Sequence, residues 1–443
     1  MGAINSKVNP VPASPDKRFW SSCRSNKLLR GLSAGAESNV VEYSGHSPTS
    51  EPFLQLSNQT PSKILLVRFS ALGDVVQTIP ILSMLRDAFP HAKIGWAIDA
   101  ELVSTVQGHP ALDYVHACHR RQWAKSFKNP TRWPQAFGGM SEFVDEIRSV
   151  NYDVAVDAQG LFKTALVPFL AGIKRRIGYG HGREFSSLFY NEKYLSFEEY
   201  FDPAVFHLDH MALLCKAIGC SEVRHLVEAP PVSAEMTAQM AATLKQGFSN
   251  TNPIIAMAPG TQWVSKAWPE EYWVALLDRV LEKTSFNVVM LGSKGDASLV
   301  SKILNAFPGS ATNGRVLDIS GQTSVQQMYS LFSQVEAHVG SDSAPLHIAG
   351  AVRTPHLIGI YGPTAYRRTP PIGSPDIQLF STEGNLSCQP CHKKTCPLGT
   401  TECMTLIKPD DVFNALVEAL NGNKEPALTG AYQHAPTHLR GQR

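Results

Sequence analysis

Asp74, in the segment SALGD, follows Gly73 where a short apolar run gives way to a helical pattern. A carboxylate there has two uses. It caps the helix, because Asp is among the preferred N-cap residues, and the helix dipole keeps it ionised at neutral pH, as a general base for a sugar hydroxyl requires. The uses are compatible, and Asp74→Asn separates them by keeping a cap while removing the base. In PGTQWVSKAWPEE a strand ends, a glycine turn follows, and Thr261 and Lys266 stand just before a helix. The electropositive start of that helix suits a phosphate, with Lys266 as a point charge and the Thr261 hydroxyl as a hydrogen-bond partner. A solvated loop lysine has the same local sequence. The segment GSDSAPLHIAGA repeats the chemistry: Ser341, Asp342, Ser343 and Ala344 present backbone N–H groups and hydroxyls at another helix start, with His347 in its first turns. A diphosphate held between Lys266 and this helix needs no metal. Taken alone, His347 reads equally well as a core histidine with satisfied ring nitrogens.

Two further groups bear charge or thiols. HRRQWAK contributes Arg120, Arg121 and Lys125, and GHGREF contributes Arg183. Such runs are commonly solvated faces, and an anionic acceptor gives them a purpose. Lys174, Arg175 and Arg176 follow an apolar stretch and suit either an anionic membrane surface or a helix end. Four of the eight cysteines crowd into CQPCHKKTCPLGTTEC. Cys388 and Cys391 have a common zinc-ligand spacing, while Cys396 and Cys403 follow at spacings irregular for a zinc ribbon. A structural zinc site and a set of reduced, inert thiols both fit, and both make the segment structural rather than catalytic. Cys23, Cys118, Cys215 and Cys220 form no pattern.

The elements that must position these residues alternate along the chain. KILLVRF, AKIGWAI and YDVAVDA read as strands, with VVQTIPILSMLRDAF and MSEFVDEIRSV as helices between them. HMALLCKAIG reads as a last helix, and EAPPVS has linker composition. A second series follows, with PIIAMAPG, FNVVML, RVLDISG, AHVGSDS and PHLIGIYG as strands and EEYWVALLDRVLEK and SVQQMYSLFSQV as helices. The alternation predicts an α/β chain of two doubly wound parallel sheets, with chemistry in the loops beyond the strand carboxyl ends. A length of 443 residues accommodates two cores. The expected organisation is a disordered extension over 1–60, an N-terminal Rossmann-like domain over 61–230, a C-terminal one over 231–423 containing the Cys-rich segment 388–403, and a flexible tail over 424–443. The opening MGAINS formally fits a myristoylation pattern, but so short a match carries no weight. A net charge of +2 with 18% charged residues lacks the basic excess of a nucleic-acid binder. No apolar stretch reaches the roughly 18 residues of a membrane span, and residues 1–20 lack the apolar core of a secretion signal. A cytoplasmic location is expected.

FSALGDVVQTIPIL, YDVAVDAQGLFKTAL, REFSSLFYNEKY, KAWPEE, GSDSAPLHIAGA and YGPT together resemble the ADP-heptose:lipopolysaccharide heptosyltransferases, from about Lys63 to about Leu420. The DAQG and SLFYN segments look most like heptosyltransferase I. The resemblance implies a GT-B fold with acceptor on the N-terminal and donor on the C-terminal domain, and an inverting transfer of heptose from ADP-heptose to a Kdo sugar of lipid A without a metal or other cofactor. It makes Asp74 the base and Lys266 the group that stabilises the departing ADP. It assigns Thr261, Gln262, Asp296, Asp342, Ser343, Ala344 and His347 to the donor and Arg120, Arg121, Lys125 and Arg183 to the acceptor, and it implies work at the cytoplasmic face of the inner membrane. Departures from the family pattern are Gln262 for a threonine, Asp296 for a glutamate, and Asp-Ser-Ala for Asp-Thr-Gly at 342–344. The cysteine segment resembles one found in other members of the wider family.

Three alternatives differ in class or detail. A nicotinamide-dependent oxidoreductase is disfavoured because the first turn reads FSALGD rather than GxGxxG. A non-catalytic nucleotide-sugar-binding module is disfavoured by the intact Asp74 and Lys266. A sister transferase that adds a later heptose, or uses another nucleotide sugar, differs only in pocket contacts.

Overall fold

The computed structural model of the chain describes residues 60–181, 183–221, 225–307 and 312–421. The expected extension, apart from residue 60, and the expected tail lie outside these residues. The first sheet comprises β1 (Lys63–Val67), β2 (Lys93–Asp99), β3 (Tyr114–Cys118), β4 (Val154–Asp157), β5 (Arg175–Tyr179) and β6 (Glu192–Tyr194), in the order β3-β2-β1-β4-β5-β6. The second comprises β7 (Ile254–Ala258), β8 (Asn287–Met290), β9 (Val316–Asp318), β10 (Ala337–Ser341), β11 (His356–Tyr361) and β12 (Asp376–Ser381), in the order β12-β11-β10-β7-β8-β9. Every pairing is parallel. The two orders are the same doubly wound order read from opposite edges. Chain order therefore reverses between β1 and β4 in one sheet and between β7 and β10 in the other, and ligands of open α/β sheets bind at such switch points.

Local sequence explains the elements. Helices cover both faces of a parallel sheet, so its central strands are continuously apolar; Ile64, Leu65, Leu66 and Val67 are all fully buried. The helix Glu270–Lys283 buries Trp273, Leu276, Leu277 and Val280, the i, i+3, i+4, i+7 stripe of an amphipathic helix. Each such side chain contributes about 1.5–3 kcal/mol of burial. The helix Leu72–Ala88 is buried without interruption from Val75 to Leu85, because it packs against both the helix His207–Lys216 and the helix Ala344–Ala351. Two facing doubly wound units are the GT-B arrangement that the resemblance implies.

Lys174–Arg176 do not behave as expected. Arg175 and Arg176 belong to β5. Arg175 pairs with Glu192 of β6 at 2.5 Å, and Arg176 donates to the carbonyls of Ile173 at 2.6 Å and Phe189 at 2.7 Å. These guanidinium groups are engaged by the edge strand β6 and by neighbouring backbone carbonyls, while Lys174 is exposed.

Candidate functional site

β1 ends at Val67, and the chain passes through Arg68–Ala71 into the helix Leu72–Ala88. Asp74 lies inside that helix, and Ala71 occupies the N-cap. The Asp74 carboxylate reaches back, its Oδ2 accepting the Ala71 N–H at 3.1 Å, so it caps from the first turn rather than from the cap position. The same oxygen lies 3.0 Å from the Arg68 guanidinium, while the side chain keeps 43% of its surface exposed. Oδ1 has no hydrogen bond from the described residues. Arg68, which holds this carboxylate, was not singled out by the sequence reading. It is buried, and it donates to the Ala158 carbonyl at 2.6 Å. Burial works against its charge, but Asp74, helped by Tyr200 and Tyr179, raises its pKa above the ordinary value. An arginine closing an apolar strand six residues before Asp74 was the available signal.

The second half of the site follows β7 and β10. Lys266 ends the short turn Val264–Lys266. Its ammonium donates to Asp342 Oδ2 at 2.7 Å and to the Asp342 carbonyl at 3.1 Å, and lies 4.6 Å from the Trp263 ring centroid. Asp342 Oδ2 also accepts the Thr364 hydroxyl at 2.7 Å, and Oδ1 faces His347 Nε2 at 3.2 Å. Burial alone would raise the Asp342 pKa; the charge of Lys266 and then the bond to His347 outweigh it and hold the carboxyl well below the ordinary range. His347 is buried, and its Nδ1 meets Gln77 Nε2 at 3.2 Å. With the Gln77 amide as donor, Nδ1 accepts and Nε2 carries the proton that faces Asp342. Gln77 belongs to the Asp74 helix, so this contact joins the two halves. They are close: a Cβ on Gly73 would stand 3.0 Å from His347 Cδ2.

The remaining donor candidates cluster on the same side. Ser343 is the N-cap of the helix Ala344–Ala351 and makes no side-chain cap bond. The Ser341 and Ser343 hydroxyls are buried without a hydrogen-bond partner among the described residues. Thr261 accepts the Trp263 N–H at 3.4 Å, and Gln262 is exposed. Asp296 Oδ2 accepts the Ser293 N–H at 2.8 Å and its hydroxyl at 2.6 Å. The Asp296 carboxyl covers Gly260, where a Cβ would fall 2.2 Å from Cγ, which sets it beside Thr261.

The acceptor candidates separate. Arg120 opens the helix Arg120–Ser126 after β3, binds Asp99 through both carboxylate oxygens, and reaches Ser70 Oγ at 3.3 Å in the loop before Asp74. Arg121 points elsewhere, pairing with Glu101 at 2.9 Å with more than half its surface exposed, and Lys125 is exposed. The Arg183 side chain lies outside the described residues. The DAQG and SLFYN segments meet directly: Tyr190 donates to Asp157 Oδ2 at 2.7 Å, and Asp157 Oδ1 accepts the Gln159 and Gly160 N–H groups at 2.8 and 3.0 Å.

Cys388, Cys391, Cys396 and Cys403 line one pocket of about 140 Å³ with Ser265. All four are free thiols. Among the described residues no group of three or more His, Cys, Asp or Glu is arranged to hold a metal ion, so the geometry gathers the thiols without making a zinc ligand set of them.

Comparison with known proteins extends the picture. The profile of glycosyltransferase family 9 (heptosyltransferase) matches residues 140–402. Lipopolysaccharide heptosyltransferase 1 of Pseudomonas aeruginosa is 27% identical over 343 residues, covering 77% of this chain and 89% of the relative. Lipooligosaccharide heptosyltransferase 2 of Haemophilus ducreyi is 26% identical over 366 residues, covering 81% of this chain and 99% of the relative. The structure of the Escherichia coli ADP-heptose lps heptosyltransferase II superposes with a TM-score of 0.63 at 22% identity, covering 82% of this chain and all of that one.

Proposed function

The chain belongs to glycosyltransferase family 9, the heptosyltransferases, and from that premise we propose that it transfers heptose from ADP-L-glycero-D-manno-heptose to a Kdo sugar of lipid A in assembly of the lipopolysaccharide inner core. One observation carries this reading: a half-exposed carboxylate and a part-buried cation stand at the two switch points, and the helices that follow β1 and β10 meet through Gln77 and His347. The acceptor hydroxyl gives its proton to Asp74 Oδ1 as its oxygen bonds to the anomeric carbon, and the bond from that carbon to the phosphate oxygen breaks on the opposite side. One displacement inverts the centre. Arg68, 3.0 Å away, holds the Asp74 carboxylate in its aim, and Lys266 takes up the charge of the departing ADP. Ser343 and Ala344 offer the helix start to the diphosphate, Asp342 and His347 serve the donor sugar, and Thr261, Gln262 and Asp296 serve the nucleotide end. Arg120 meets the acceptor beside Asp74, with Arg121, Lys125 and Arg183 farther out along an anionic lipid.

The reading includes work at the membrane surface from the cytoplasmic side. Among the described residues no helix is long and apolar enough to cross a membrane. Phe127, Trp133 and Phe137 are nonetheless 36%, 46% and 59% exposed, and exposed Lys125, Lys128 and Arg132 flank them in sequence. Aromatic and basic side chains together suit an anionic headgroup layer.

A second reading is the addition of a later heptose, favoured by similarity to heptosyltransferases of both types. The test supplies the purified chain with ADP-heptose and either Kdo-lipid A or an acceptor already bearing one heptose. Transfer to Kdo-lipid A is expected, and transfer only to the heptosylated acceptor would move the assignment to the second reading.

A further inference from the structure

The Cys-rich segment is the sequence motif that the transfer chemistry leaves unused, and its hydrogen bonds enter the donor site from two sides. On the first side is Ser265, next to Lys266 and 1% exposed. Its N–H donates to the Lys394 carbonyl at 3.1 Å, and its hydroxyl donates to the Lys393 carbonyl at 2.5 Å. On the second side, Gln389 Nε2 donates to the Gly362 carbonyl at 2.6 Å, and the His392 N–H donates to the Pro363 carbonyl at 2.8 Å. The next residue, Thr364, holds the Asp342 carboxylate at 2.7 Å. Gln389 is itself fixed, its side-chain oxygen accepting the Thr382 hydroxyl at 3.0 Å. Contact at Gly362 leaves no slack, because a Cβ there would lie 2.3 Å from Met404 Sδ and 3.1 Å from Cys403 Sγ.

These bonds therefore bracket both ends of the Lys266–Asp342 pair. A lysine side chain has four flexible carbons, so where its ammonium rests depends on how firmly its backbone is held. The turn Val264–Lys266 is only three residues long, and Ser265 ties it to the body of the segment. We propose that residues 388–403 are a positioning element of the donor site, fixing the turn that carries Lys266 against the loop that carries Thr364 so that the ammonium is aimed at a nucleoside diphosphate before it binds. The proposal rests on Lys266 being a donor ligand. It gives the segment a task that needs neither metal nor thiol chemistry, and it makes Ser265 and Gln389 positioning residues.

The test is Ser265→Ala in the full chain, with ADP binding measured by calorimetry and KM measured separately for nucleotide sugar and acceptor. Losing one buried hydrogen bond to the turn is expected to weaken ADP binding and raise the donor KM about tenfold, while the acceptor KM holds. A role confined to general folding would not divide the two KM values. Gln389→Ala, which releases Gly362 on the other side, is expected to shift ADP affinity in the same direction and decides the matter if Ser265→Ala fails to fold. ADP bound by the variants as tightly as by the wild type, or donor and acceptor KM rising together, overturns the positioning role. A wild-type chain that does not bind ADP overturns the donor reading itself, and the proposal with it.

Discussion

The segment that follows β1 and carries Asp74 and the segment that follows β7 and carries Lys266, the partner of Asp342 after β10, leave corresponding positions of two sheets with the same strand order, yet they treat their charges differently. Asp74 keeps 43% of its side chain exposed, while Asp342 keeps 6% and Lys266 14%. After β7 and β10 the central charges are matched to each other: Lys266 to Asp342, and Asp342 also to Thr364 and His347. After β1 one Asp74 carboxylate oxygen is held by Arg68 and Ala71, and the other has no hydrogen bond from the described residues. A preorganised cage suits a small nucleotide whose leaving-group charge must be met without rearrangement. An open carboxylate suits a base that must admit the hydroxyl of a much larger substrate.

The largest effects should come from the two charges themselves. Asp74→Asn retains the cap and the contact with Arg68 but cannot accept a proton, so kcat should fall by about 10²–10⁴ with Tm nearly unchanged, as steady-state assays and thermal melts would show. Lys266→Met should lower kcat by about 10²–10³ and also leave Asp342 buried and unpaired, costing about 3–5 kcal/mol in urea denaturation. If both variants lost stability equally, the contrast between an open and a matched side would be wrong. Arg120→Ala should raise the acceptor KM about tenfold, the value of one charge-assisted hydrogen bond, with the donor KM unchanged.

A smaller effect reaches both sides together. His210 in the first half and His338 in β10 are buried, and burial first of all lowers their pKa values to about 4 and about 3. The folded chain refuses protons that the unfolded chain takes up below about 6.5. Stability should therefore be fully present above that value and decline as pH falls toward 4, by at most about 1.4 kcal/mol per pH unit for each histidine. His338→Gln should flatten the decline in denaturation measured from pH 7 to pH 4.

How much of this was legible in the sequence varied with the physics of each element. Long or wholly apolar segments declared themselves: KILLV became β1, and EEYWVALLDRVLEK became the helix Glu270–Lys283 residue for residue. β3, β5, β6 and β12 were not read, because strands such as EKY and RRIGY are short and carry charged residues that pair across the sheet edge, as Arg175 does with Glu192. The placement of Asp74, Lys266 and Asp342 was legible because each sits where a strand hands over to a helix or turn. Arg68 was not singled out because an arginine at the end of an apolar strand reads as the start of solvent, whereas here it is buried beside the Asp74 carboxylate. Gln77, Thr364 and Gln389 act through partners 270, 22 and 27 residues away, distances at which local pattern carries no signal. Arg120, Arg121 and Lys125 belong to a run that reads as one patch, but the helix sets their side chains apart: Arg120 reaches Asp99 and Ser70, Arg121 pairs with Glu101, and Lys125 is exposed.

The central claim is the division of labour between the two sides, and ADP binding by Asp74→Asn and Lys266→Met, titrated side by side against the wild type, tests it most directly. The account predicts that Asp74→Asn binds ADP with wild-type affinity while its kcat falls by about 10²–10⁴, and that Lys266→Met loses ADP affinity together with rate. Equal loss of ADP affinity in the two variants, or sugar transfer by Asp74→Asn at the wild-type rate, would contradict it.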